Sequence, residues 1–218
     1  SAWHAEPVEA ATSGIVASRV VQTNIPAPSL KGSLFAEPSE QPIVVYLPPS
    51  YETAKGRRFP VVYLLHGFLD AQTAWTRGGY QGMSLGPFMD ELIKSGKSKE
   101  MIVVAPSGRN ALLGSFYTNS TATGNWEDYI LRDVIGYIDA TYRTLARPES
   151  RGIAGHSMGG YGAIKLGMKH PDVYSVVYGI NPALLGWGQD VSSDNPAFDF
   201  LFTKQPKTVE EAVQGGLY

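Results

Sequence analysis

Arg151-Gly152-Ile153-Ala154-Gly155-His156-Ser157-Met158-Gly159-Gly160-Tyr161-Gly162-Ala163 is the stretch on which the fold turns. Arg151 to Ala154 reads as a short strand, and Met158 to His170 as a helix ended by Pro171. Between them, Gly155-His156-Ser157-Met158-Gly159 matches G-x-S-x-G, a sharp strand-to-helix turn that pushes a serine hydroxyl clear of the sheet. The flanking glycines belong there because a Cβ would strike neighbouring backbone. The Met158 amide opens a helix and is free to donate to an oxyanion.

The pattern alone is weak, since Gly82-Met83-Ser84-Leu85-Gly86 matches it too. Context separates the two. Arg77 to Gln81 is no buried strand, so Ser84 has no strand-to-helix turn to sit on. Ser157 has one, and Gly159, Gly160 and Gly162 let its helix lie close to a sheet.

Outward from the elbow, strand and helix patterns alternate. Ser18 to Ile25 and Pro42 to Leu47 read as strands from their β-branched content. Pro60 to His66 is an apolar run of the kind buried on both faces, ending in His66-Gly67-Phe68. Pro87 to Ser95 reads as a helix and Met101 to Ala105 as a second buried strand. Asn125 is placed to cap a helix running to about Tyr142, with Glu127 and Asp128 in its first turn. Tyr174 to Ile180 is a further strand. The alternation over residues 60 to 180 implies a mainly parallel sheet with helices on both faces.

Composition bounds the function. Hydrophobic residues make up 43% of the 218, enough for a packed core. A formal charge of -2 offers no field for holding nucleic acid or an anionic membrane. The apolar runs are too short to span a bilayer. With no cysteine there is no disulfide, thiolate metal site or cysteine nucleophile. No cluster has metal-ligand spacing, and no cofactor is implied. Gly96-Lys97-Ser98 fails as a phosphate loop because Glu91 stands where the first glycine belongs.

Several runs together resemble the esterase D family of α/β-hydrolases: Tyr46-Leu47-Pro48-Pro49-Ser50-Tyr51, Phe59 through Gly67, Gly114-Ser115-Phe116-Tyr117, Trp126-Glu127-Asp128-Tyr129, and Gly155 through Ala163. The resemblance covers roughly residues 40 to 182. That family includes S-formylglutathione hydrolases, feruloyl and acetylxylan esterases, and bacterial mycolyltransferases. It implies an α/β-hydrolase fold and an acyl-enzyme formed on Ser157 from an ester or thioester, free or carbohydrate-linked. The backbone amides of Phe68 and Met158 would form the oxyanion hole, and Trp75, Tyr117 and Trp126 are candidate walls of an acyl or aryl pocket. An acyltransferase of the same fold, or a silent binding derivative, are the alternatives.

The triad is where the chain departs from the family. Its order is Ser, Asp or Glu, then His. Only His170 follows Ser157, at the far end of the same predicted helix and on the order of 18 to 20 Å away. We read it as an exposed helix-end residue. His156 is expected to support the elbow, and His66 to order the oxyanion loop. The expected reading is therefore a hydrolase domain lacking its last strands. The missing acid and histidine then belong to a second polypeptide, to a removed segment or to a longer molecule, or else the form is inactive.

Residues 1–17 read as an N-terminal extension and 18–218 as a single incomplete domain, with 182–218 a cap-like segment. No positive region precedes an apolar stretch at the start, so no signal peptide is expected there. The small polar N-terminus and the family's secreted members tilt the reading toward export.

Overall fold

Ile43, Val45 and Leu47 enter one core cluster, while Val44 and Tyr46 between them enter another. That alternation is the signature of a strand buried on both faces, and it sets the architecture: one sheet with an apolar layer on each side. This computed structural model describes residues 17–80, 82–183, 208, 210 and 211. The cap-like segment expected over 182–218 falls almost wholly outside those residues, as does the N-terminal extension.

In chain order the described elements are β1 (Arg19–Pro26), β2 (Glu40–Leu47), β3 (Val61–Leu65), α1 (Leu85–Lys94), β4 (Ile102–Pro106), the short pair β5 (Asn119–Ser120) and β6 (Gly124–Asn125), α2 (Trp126–Asp128), α3 (Ile135–Thr141), β7 (Arg151–His156), α4 (Met158–Lys169) and β8 (Val176–Ile180). The large sheet runs β1-β2-β4-β3-β7-β8. Pairings β3–β4, β3–β7 and β7–β8 are parallel, and β1 and β2 add an antiparallel margin. Trp75, Leu85 and Met89 cover one face with Val44, Tyr46, Val103 and Ala105. Ile130, Val134, Ile138, Ala163 and Leu166, carried by the helices after β6 and β7, cover the other.

The helix expected from Asn125 to Tyr142 is broken. Tyr129–Val134 winds as a π-turn between α2 and α3, and Tyr142 is extended. The wider turn puts the buried Tyr129, Ile130 and Val134 against the same core. Nor is Asn125 the cap. Its side chain makes no capping bond, whereas Asn119 Oδ1 accepts the amides of Glu127 at 3.0 Å and Asp128 at 3.1 Å. The β5–β6 pairing, Asn119 opposite Asn125, carries Asn119 to the helix start. Spacing along the chain does not reveal that.

Candidate active site

Parallel pairing assembles the site. Leu65 at the end of β3 lies opposite Gly155 near the end of β7, and His156 lies opposite Ile180 at the end of β8. The residues just past these strand ends, His66-Gly67, Ser157 and Asn181, therefore emerge together at the carboxyl edge of the sheet, where open α/β sheets bind ligands.

Ser157 sits at φ 54° and ψ −115°, between the last residue of β7 and the first of α4. A non-glycine residue pays for this conformation, and the surrounding bonds hold it there. Its amide donates to Ile180 O at 3.0 Å, and its carbonyl accepts the amides of Tyr161 and Ala183. A Cβ on Gly155 would lie 2.3 Å from Gly159 O, so the turn closes only because Gly155 lacks one. No hydrogen bond among the described residues engages the Ser157 hydroxyl. Ala36, Leu69, Leu113, Phe116, Tyr117 and Asn181 also have positive φ, and of these Leu69 and Asn181 lie on the loops just past the ends of β3 and β8.

The His66–Asp70 loop lies against Ser157, for a Cβ on Gly67 would be 3.5 Å from Ser157 Cβ. Its polar groups are nearly all tied. His66 is wholly buried, with Nε2 accepting the Gly108 amide at 2.8 Å. That leaves the proton on Nδ1, which donates to Gly67 O at 2.8 Å. Burial lowers the His66 pKa, against the opposing pull of Gly67 O, so the neutral ring is the favoured form. The Gly67 amide donates to the Tyr80 hydroxyl at 2.9 Å, Leu69 N to Leu113 O, and Asp70 N to Gly67 O. Tyr117 Oη donates to His66 O at 3.0 Å. Among the described residues, no hydrogen bond engages the amides of Phe68 or Met158.

The candidate pocket residues divide. Trp75 lines a cavity of about 370 Å³ with Tyr80, Met83, His156, Ile180 and Asn181. A smaller, wholly apolar cavity of about 210 Å³ adjoins it through Trp75, Met83 and Ile180. Tyr117 and Trp126 line neither of these cavities. Both are 0% exposed and packed in the core, with Trp126 Nε1 donating to Thr123 O and Tyr117 lying against α4 at Gly162. Large aromatic rings in a loop-rich segment read equally well as rim or core, and here the core takes them.

Among the described residues no histidine bonds to Ser157. Both nitrogens of His66 are occupied. His156 packs edge-on against Tyr80, centroids 4.7 Å apart, and its buried Nδ1 has no partner. His170 is not the exposed helix-end residue expected. It is half-buried at the end of α4, with Nε2 3.1 Å from Glu127 Oε1. Burial alone would raise the Glu127 pKa. Hydrogen bonds from Lys169 and His170 and the charges of Lys165 and Lys169 outweigh it and hold the carboxyl at about 2. Ser84 precedes α1, follows no strand, and donates to Thr76 O.

Sequence reading missed Asp70 and Tyr80. They belong to no motif, and only the folding of the loop after His66-Gly67 brings them to the site.

The Esterase family model matches residues 37–208, well over half of the chain. The chain belongs to this esterase family. Esterase Rv1288 of Mycobacterium tuberculosis is 33% identical over 132 residues, 58% of this esterase-family chain and 25% of that protein. The endo-1,4-beta-xylanase/feruloyl esterase of Xylanibacter ruminicola is 34% identical over 136 residues, 60% of the chain and 18% of that protein. A solved ferulic acid esterase superposes with a TM-score of 0.68 at 31% identity, covering 80% of the chain and 62% of the solved one. The family member thus spans a quarter or less of these relatives and under two thirds of that structure. Its sheet and elbow are those of an α/β-hydrolase.

Proposed function

We propose that this chain carries the nucleophile and oxyanion half of a serine ester hydrolase. One observation carries the reading. Ser157 is held in a strained turn beside the Phe68 and Met158 amides, and no described residue engages its hydroxyl or either amide. Backbone donors left unpaired at a strand edge are what a developing oxyanion needs.

In the reaction, Ser157 Oγ bonds to the ester carbonyl carbon as its proton passes to a base. The carbonyl electron pair moves onto oxygen, where the two amides receive it. Collapse expels the alcohol, which takes the proton, and leaves an acyl-serine. Water repeats the sequence and releases the acid. The base has to come from outside the described residues, because none of His66, His156 and His170 is placed for the work.

The cavity beside His156 suits a flat acyl group. Trp75, Tyr80 and Met83 supply apolar and aromatic walls on which a flat ring can pack. Relatives named as feruloyl esterases make aromatic-acid esters the first class to test.

The test is to treat the chain with a fluorophosphonate probe, map the adduct by peptide mass spectrometry, and follow hydrolysis of methyl ferulate. An adduct on Ser157 that vanishes in Ser157→Ala supports the reading. An unlabelled wild type that hydrolyses nothing favours the silent derivative.

A further inference from the structure

We propose that Tyr80 is a positioning residue for the Phe68 oxyanion amide, with Asp70 fixing the direction of its hydroxyl. The inference rests on the oxyanion role given to Phe68 above and adds the device that aims it.

A tyrosine hydroxyl has one proton to give. Tyr80 gives it to Asp70 Oδ2 at 2.7 Å, and an ionised carboxylate can only accept. The lone pairs that remain face the Gly67 N–H, 2.9 Å away. The chain from Gly67 N–H through the Tyr80 hydroxyl to Asp70 thus has one polarity. The ring cannot swing, being held between Trp75 at 4.1 Å and His156 at 4.7 Å between centroids. Burial first, and then the Asp70 carboxylate, raise the hydroxyl's pKa, so it stays protonated.

This clamp acts on the peptide that matters. In a trans peptide the carbonyl and the N–H point opposite ways in one plane. The Gly67 carbonyl is drawn to one side by His66 Nδ1–H and the Asp70 amide. The Phe68 N–H, in the same peptide plane, must then point to the other. Tyr80 pins the preceding peptide through the Gly67 amide, so Gly67 is fixed on both flanks. It also keeps the Gly67 N–H from competing for the substrate. Asp70 follows Phe68 on the same loop, and the Tyr80 ring packs against His156, so the clamp spans the oxyanion loop and the elbow together.

The experiment is residue-resolved amide exchange by NMR on the whole chain, with fluorophosphonate labelling of the same samples. Tyr80→Phe keeps the ring and removes the hydroxyl. Gly67 exchange should rise about tenfold or more while Leu166 in α4 is unmoved, and labelling of Ser157 should slow by about tenfold. Asp70→Ala should do the same. Asp70→Asn, which still offers an oxygen to the Tyr80 proton, should recover most of the labelling rate. Unchanged Gly67 exchange overturns the clamp. Faster Gly67 exchange with undiminished labelling overturns its positioning role. A wild type that leaves Ser157 unlabelled overturns the catalytic reading underneath, while the exchange data test the clamp separately.

Discussion

A Cβ placed on Gly159 would lie 2.2 Å from the carbonyl oxygen of Leu65. Leu65 ends β3 and Gly159 is the second residue of α4, so helix and strand meet backbone to backbone. The contact holds Ser157 beside His66-Gly67. It also gives the second glycine of G-x-S-x-G its reason, which is closeness rather than flexibility.

Gly159→Ala should therefore cost about 3 kcal/mol or prevent folding, because the obstructing atoms are backbone and cannot turn aside. Gly136 in α3 is the control, with nothing within 4 Å of where a Cβ would stand. Gly136→Ala should add about 0.5–1 kcal/mol through helix propensity alone. Urea unfolding of both decides the matter; a Gly159→Ala midpoint equal to wild type would sink the packing account.

Ser157 stores strain. Ser157→Ala and Ser157→Gly both remove the hydroxyl, but only glycine takes a φ of 54° freely. Ser157→Gly should be about 1 kcal/mol more stable than Ser157→Ala. Equal stabilities would mean that the turn is relaxed.

Much of this is legible in the sequence, and the limits are physical. The elbow, the His66-Gly67 loop and the buried strands can be read because each depends on local punctuation: a glycine where a Cβ clashes, a proline where a helix ends, an apolar run where both faces are covered. Tyr117 and Trp126 mislead because an aromatic side chain suits core and rim alike. Tyr80 and Asp70 cannot be found, since a hydroxyl meeting a carboxylate ten residues away depends on how a loop folds. His170 reads as solvent-exposed because its partner, Glu127, is distant in sequence.

Glu127 should govern part of the acid sensitivity. Its carboxyl, 6% exposed by residue, meets Lys165, Lys169 and His170. A pKa held at about 2 in the fold, against 4.5 otherwise, means the unfolded chain binds the extra proton between those values. Stability from this group is complete above about pH 4.5 and is lost as pH falls toward 2. Glu127→Gln should cost about 2–3 kcal/mol at pH 7, leaving the two lysines beside a neutral amide. It should also flatten the fall in unfolding free energy between about pH 5 and about pH 3. A variant with the wild-type slope would show that other carboxyls carry the acid limb.

The helix start offers the sharpest contrast between sequence and structure. Asn125 stands where a cap is expected, immediately before Trp126, yet the oxygen that accepts the Glu127 and Asp128 amides belongs to Asn119. Asn119→Ala leaves two amides of the first turn without an acceptor, one of them on buried Glu127, and should cost about 1–2 kcal/mol. Asn125→Ala removes no capping bond and should stay within about 0.5 kcal/mol of wild type. The two losses also differ in place. Without Asn119 the first turn loosens where Glu127 receives Lys165 and Lys169 from α4, so amide exchange at residues 127 and 128 should quicken and the acid limb should change with it. If Asn125→Ala proves the costlier change, the capping role returns to the residue that spacing alone selects.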